Sequence, residues 1–288
     1  MFETILVPLD GSVLAEQSII YAKTIAEKFL SRIILFTVCE SGEKDQIAGC
    51  WQFLDSKAEL LKDNSQVEKL IQKVVVSGQP ASQIIDFARQ HQVSLIIMTS
   101  HGRSGLGPWP MGGTANKVFH SDISVPLLLV NSRQKDLARE FLFEKILIPL
   151  DGSVAGESAV SYAFALAEKF HSEITLLHVI EQGRHVHTIG GLQYVPFLDQ
   201  DIETAKNRAE KYFNSVASKL APASNRVLFE IVVGDATREI LKTTEKMSRC
   251  LIALSTHGYS GVSAWSFGSV TYKITQVATQ SFLIVKSH

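Results

Sequence analysis

Apolar residues along this chain fall into short unbroken runs separated by stretches of helical period. Residues 5–8 (Ile-Leu-Val-Pro) are apolar without alternation, the pattern of a strand buried on both faces. From 18 to 29 the apolar positions Ile19, Ala22, Ile25, Ala26 and Phe29 recur at three- and four-residue intervals. That spacing predicts a helix with Ser12 as N-cap and Glu16 in its first turns. Further strands are predicted at 33–38, 74–76, 95–98 and 126–130, and helices at 55–73, 81–90 and 115–120, with a turn at Gly78-Gln79-Pro80. Strands alternating with helices predict an α/β fold: an open five-stranded parallel sheet with helices on both faces. Ligands in such sheets sit beyond the carboxyl ends of the strands, where the strand order reverses.

The pattern occurs twice. Residues 4–12 read TILVPLDGS and residues 145–153 read KILIPLDGS, an offset of 141. Over 4–40 against 145–181, 20 of 37 positions are identical. Later, SGQPASQII (77–85) meets VGDATREIL (233–241) and MTSHGRSG (98–105) meets LSTHGYSG (254–261), at an offset of 156. The second copy therefore carries fifteen more residues, around Gln182 to Asp201, a stretch with Gly and His that is read as a loop. The expected organisation is a first domain over 1–133, a polar linker over 134–142 and a second domain over 143–288.

Composition narrows the function classes. With 28 basic and 29 acidic residues the net charge is −1, which excludes a strong global field for nucleic acid or an anionic membrane. No apolar run approaches the roughly 20 residues that cross a bilayer. The chain begins directly on a strand pattern, so no signal peptide is expected and a cytoplasmic location is. Cys39, Cys50 and Cys250 are odd in number and lack C-x-x-C spacing, which argues against a disulfide framework or a zinc site and for reduced, idle thiols. His178, His185 and His187 invite a metal reading, but two of them lie in the extra loop, no carboxylate-rich frame surrounds them and a solvated loop is favoured.

The chemistry-bearing residues gather at the predicted strand ends. Asp10 and Asp151 follow the first strand of each repeat. Their carboxylates could accept from an adenine amino group or a ribose hydroxyl, or cap the following helix, and the two roles can coexist. After strand four come Gly102-x9-Gly112 and Gly258-x9-Gly268-Ser269, the second glycine standing just before a helix. Glycine lets backbone N–H groups approach a ligand, and a helix N-terminus is a natural phosphate seat, so the Gly268 N–H is expected to face phosphate. His101 and His257 match each other and are read as loop-packing residues ahead of acid–base groups. No G-x-x-x-x-G-K-[ST], no G-x-G-x-x-G after strand one and no G-x-S-x-G occurs, which excludes a P-loop, a dinucleotide fingerprint and a hydrolase elbow.

Together these residues resemble the universal stress protein family in its tandem two-domain form, over essentially the whole chain. The family carries P-x-D after strand one, a valine ending strand two and G-x2-G-x9-G-[ST] after strand four. The resemblance implies a Rossmann-like fold, used twice, and a stress-response or regulatory role. It also implies binding of ATP or a related adenine nucleotide, with or without Mg²⁺ and with little or no turnover. The site it implies in the second repeat is Pro149, Leu150, Asp151, Val179, Leu254, Ser255, His257, Gly258, Gly268, Ser269 and Val270. In the first it is Pro8, Leu9, Asp10, Val38, Met98, Thr99, His101, Gly102, Gly112, Gly113 and Thr114. Thr99 and Ser255 replace the motif's first glycine, either crowding the ribose or supplying a hydroxyl contact. Gly113 replaces its Ser or Thr, and Pro108 and Pro110 stiffen the first loop, so the second repeat is expected to be the competent site. The family also implies an internal pseudo-dimer through the fifth strands and a homodimer of whole chains. The alternatives are a nucleotide-free scaffold working through a protein partner, and a slow ATPase assisted by His257 or a bound metal.

Overall fold

The structure is a computed structural model that describes residues 1–41, 43–62, 70–103, 105, 111–132, 142–181, 183–188, 191–196, 198–219, 226–256 and 268–287. The chain divides into two compact units, one of Met1–Leu142 with Thr275–Lys286 and one of Phe143–Ile274.

The first unit runs β1 (Thr4–Pro8), α1 (Val13–Phe29), β2 (Arg32–Cys39), α2 (Lys44–Glu59), β3 (Ile71–Ser77), α3 (Pro80–Gln90), β4 (Leu95–Thr99), α4 (Gly113–His120) and β5 (Leu127–Val130). Its strands lie in the order β3-β2-β1-β4-β5, all parallel, with Ile5 opposite both Ile33 and Leu95. Strand order reverses between β1 and β4, so the crevice expected of such a sheet opens beyond these two strands. Ile5, Leu6, Val7, Ile33, Leu35, Phe36, Ile96, Ile97 and Leu128 are all fully buried. Helices cover both faces, which is why the strands read as apolar runs and not as alternating ones. Helix α1 lays Ile19, Ala22, Ile25 and Ala26 onto the sheet. Each buried aliphatic side chain of Ile size contributes about 1.5–3 kcal/mol.

The second unit repeats the plan. Its elements are β6 (Lys145–Pro149), a 3-10 turn (Ala155–Ala159), α5 (Val160–Phe170), β7 (Glu173–Ile180), β8 (Gly183–Thr188), β9 (Gly191–Pro196), α6 (Asp199–Lys219), β10 (Val227–Val233), α7 (Ala236–Glu245), β11 (Cys250–Ser255) and α8 (Ser269–Val277). β10, β7, β6 and β11 pair in that order, all parallel. The last strand, β12 (Ser281–Val285), is grouped with the first unit, where Phe282, Leu283 and Ile284 pair antiparallel with Leu129, Leu128 and Leu127 of β5. There Asn131 N–H donates to Ser281 Oγ at 3.2 Å.

Three expectations need correction. The helix expected over 55–73 is instead α2 over Lys44–Glu59, and residues 71–73 belong to β3. β3 follows β2 in register from Ile71 opposite Ile33 to Ser77 opposite Cys39, and this pairing overrides the local helical pattern. The loop expected between Gln182 and Asp201 contains the antiparallel pair β8–β9, from Gly183 opposite Pro196 to Thr188 opposite Gly191, followed by the start of α6. Its glycines lie at strand ends, beside β-formers such as Val186, Tyr194 and Val195. Finally, Cys39 and Cys50 are joined by a disulfide, so only Cys250 is a free thiol. The count of cysteines could not show that the end of β2 and helix α2 bring two of them together.

Helix α1 begins on the expected cap. Ser12 is extended (φ −86°, ψ 149°) and its Oγ accepts from Ala15 N–H at 3.1 Å. Ser12→Ala should lower stability by about 1 kcal/mol in denaturant titration, whereas Ser12→Thr, which keeps the hydroxyl that also donates to Asp10, should retain most of it.

Candidate functional site

An Asp-Gly-Ser turn leaves the first strand of each repeat. Asp10 Oδ1 accepts from Ser12 N–H at 3.0 Å and from Ser12 Oγ–H at 2.7 Å. Asp151 Oδ1 accepts from Ser153 N–H at 3.0 Å and Ser153 Oγ–H at 2.6 Å. The middle residues, Gly11 and Gly152, have φ of +85° and +86°, a conformation that side chains other than glycine rarely adopt. Each serine in turn caps the segment that follows, through Ala15 N–H and Gly156 N–H. The aspartates therefore have a structural role in the turn, and it leaves them at the strand ends.

The loop after β4 closes on the same turn. Arg103 N–H donates to Asp10 Oδ2 at 2.6 Å, and Arg103 Nε and Nη2 donate to the Asp10 carbonyl at 3.1 and 2.6 Å. A Cβ on Gly102 would stand 2.0 Å from Asp10 Oδ2, so this approach requires glycine. Burial alone would raise the Asp10 pKa, but the hydrogen bonds from Ser12 and Arg103 and the Arg103 charge outweigh it and hold the carboxyl below its ordinary value.

Helices α4 and α8 start at matching points. Gly112 N–H donates to Ser100 O and Gly268 N–H to Thr256 O, both at 2.7 Å. The Gly268 amide is thus committed to the strand-four turn and does not face a phosphate, a correction to the sequence expectation. The first intrahelical bonds run from Asn116 N–H to Gly112 O and from Tyr272 N–H to Gly268 O. The amides of the intervening residues, Ser269 and Val270 among them, are the first-turn donors that a helix cannot use itself. The hydroxyls at the motif's first-glycine positions turn to backbone: Thr99 Oγ1 donates to His101 O at 2.7 Å and Ser255 Oγ to Gly156 O at 2.9 Å.

These pieces frame a cleft in each unit. All the candidates of the first repeat line one: Pro8, Leu9, Asp10, Val38, Met98, Thr99, His101, Gly102, Gly112, Gly113 and Thr114. Pro149, Leu150, Asp151, Val179, Leu254, Ser255, Gly268, Ser269 and Val270 line the other. His257 and Gly258 lie outside the described residues. The clefts share further positions at the two offsets, Glu40 with Glu181, Pro80 with Ala236, Ile84 with Ile240 and Ala115 with Thr271. They differ in size, about 190 Å³ in the first unit and about 430 Å³ in the second.

His101 is buried, with Nδ1 3.1 Å from Ser100 Oγ and its N–H donating to Ser132 Oγ at 3.1 Å. Sequence reasoning missed Glu40, Glu181, Arg103 and His178, all of which line a cleft. Glu40 and Glu181 follow strand two in both repeats, and that repetition was an available signal. Arg103 directly follows a motif glycine, but nothing in its spacing announces the bonds to Asp10. His178, set aside as a metal ligand, lies in β7 and lines the second cleft, its Nδ1 2.7 Å from Leu150 O. Thr37, at the same place in the first repeat, makes the equivalent bond from Oγ1 to Leu9 O at 2.6 Å.

Comparison with known proteins agrees with the repeat and the fold. Universal stress protein YxiE of Bacillus subtilis is 29% identical over 151 residues, 50% of this chain and 100% of its own. Universal stress protein MJ0577 of Methanocaldococcus jannaschii is 27% identical over 157 residues, 50% of this chain and 96% of its own. The crystal structure of a universal stress protein from Archaeoglobus fulgidus shares the fold along 99% of both chains, with a TM-score of 0.68 at 19% identity. The universal stress protein family model matches residues 1–131 and again 142–286, and the chain belongs to that family, with two tandem copies of its domain.

Proposed function

We propose that this protein binds ATP or a related adenine nucleotide in the cleft of its second repeat, as a stress-response regulatory protein with little or no turnover. The observation that carries the reading is the cleft beside α8. There a carboxylate, an apolar wall and a helix N-terminus converge at the carboxyl ends of β6 and β11. The Asp151 carboxylate is placed to accept from an adenine amino group or a ribose hydroxyl. Leu150 and Val179 offer apolar surface to a base. The first-turn amides of α8, with the positive end of its dipole and the exposed Ser269 side chain, suit the phosphates.

Size supports the second cleft over the first. Ligand pockets usually span roughly 300–1,000 Å³. The second cleft, at about 430 Å³, falls in that range, and the first, at about 190 Å³, falls below it. In the first cleft Gly113 also supplies no hydroxyl where Ser269 supplies one in the second.

Equilibrium dialysis of the full chain with ATP tests this. We expect Asp151→Ala and Ser269→Ala each to weaken binding by roughly ten- to a hundredfold, the loss of about 1.5–3 kcal/mol for a bond to a charged group. Asp10→Ala should leave affinity nearly unchanged. Loss of binding on Asp10→Ala, with none on Asp151→Ala, would place the ligand in the first cleft.

At Gly268 a Cβ would lie 3.4 Å from Thr256 O, so Gly268→Val crowds the strand-four turn and displaces the start of α8. The variant should stay folded by circular dichroism and bind ATP more weakly than either Asp151→Ala or Ser269→Ala. ATP binding by folded Gly268→Val at the parental affinity would remove this cleft from consideration. At Gly102, the clash with Asp10 should make Gly102→Ala less stable by about 1–3 kcal/mol in thermal denaturation, the usual cost of overpacking, while second-cleft binding persists.

A further inference from the structure

We propose that Cys39 and Cys50 form a reversible disulfide that holds the first half of α2 against the end of β2, beside the first cleft, and frees it on reduction. Cys39 is the last residue of β2, and its neighbours Val38 and Glu40 both line that cleft. Cys50 lies midway along α2. The bridge spans 11 residues of sequence.

Helix α2 is anchored unevenly. Its C-terminal half buries Leu54 and Ala58, Lys57 pairs with Glu16 at 2.7 Å, and Asp55 pairs with Lys73. From 44 to 53 no residue is buried, and Ile47, Cys50 and Phe53 are half-buried at most. Cys39 Sγ also lies 3.8 Å from the Gln46 carbonyl, where a sulfur in a disulfide has no proton to donate, and the Phe53 ring meets Lys57 Nζ of the same helix at 5.5 Å. The covalent bond therefore ties the end of β2 to a half of α2 that buries no side chain of its own. The second repeat shows that the fold does not depend on such a tie. Ile180 stands where Cys39 would, and α6 buries Ala209, Phe213 and Val216 while its first half has no buried residue. A bond that the fold can lose without losing the domain is suited to switching.

The exchange balances with a small thiol such as glutathione. Cys39 is 3% exposed and Cys50 half-exposed, so an external thiolate attacks Cys50 Sγ. The S–S bond breaks and Cys39 leaves as a thiolate that takes a proton from water. A second thiolate attacks the mixed disulfide, releasing the Cys50 thiolate and one molecule of glutathione disulfide. Oxidation is the reverse, with glutathione disulfide accepting the two electrons. Cys250 stays outside this chemistry: it is buried, and burial pushes its thiol up to about 12.

The test equilibrates the full chain in glutathione buffers of graded reduced-to-oxidised ratio, quenches with acid and alkylates after denaturation. Mass spectrometry should count one alkylated thiol at the oxidising end and three at the reducing end. Hydrogen exchange on the same samples should show the amides of 44–53 exchanging faster by roughly tenfold or more once the cross-link is gone, with little change in the second half of α2. Cys50→Ser should exchange at the faster rate at every ratio. A thiol count that does not move across the series overturns the proposal. So does equal exchange of 44–53 in the oxidised and reduced wild-type protein, a comparison that needs no variant.

Discussion

In this fold, β1 and β4 are neighbours, but the chain leaves them for different parts of the sheet, and the crevice beyond their ends must satisfy its own backbone and charge. Asp10 does this on one side, bonding Ser12 within its own turn and Arg103 across the crevice. The approach is so close that residue 102 has no room for a Cβ. Gly112 and Gly268 then tie the start of the next helix to the strand-four turn through a single amide each. That bond, joined in the second repeat by Thr271 Oγ1 donating to Ser255 O at 2.9 Å, places the helix starts and with them their first-turn amides.

The two repeats apply this constraint with different outcomes. In the first, Arg103 bonds the carboxylate and carbonyl of Asp10 and also reaches Glu40 at 3.8 Å, spanning the ends of β1 and β2. In the second, His178 replaces Thr37 beneath the turn, Ser269 replaces Gly113, and the cleft has more than twice the volume. The scaffold is duplicated, while the lining residues and the volumes of the two clefts differ.

Much of this was legible in the chain. The repeated P-L-D-G-S located the strand-one turn, and apolar runs without alternation gave a two-faced parallel sheet, because such strands are covered on both sides. The candidate residues followed because strand ends can be read from where those runs stop. What stayed hidden depended on contacts distant in sequence. Residues 71–73 look helical until β2 offers them a partner, and the Gly268 amide looks free until Thr256 O is placed beside it. Arg103 meets Asp10 across 93 positions, and Cys39 meets Cys50 only because α2 folds back along β2. The β8–β9 pair was obscured by the glycines at its strand ends.

The central claim is that an adenine ring occupies the second cleft. Photolabelling the full chain with an azido-adenine analogue of ATP, followed by peptide mapping, tests it most directly. The account predicts label on peptides that contain Val179 or Asp151, removed by competing ATP. Label confined to peptides containing Val38 or Asp10, or label that ATP does not compete away, would contradict it.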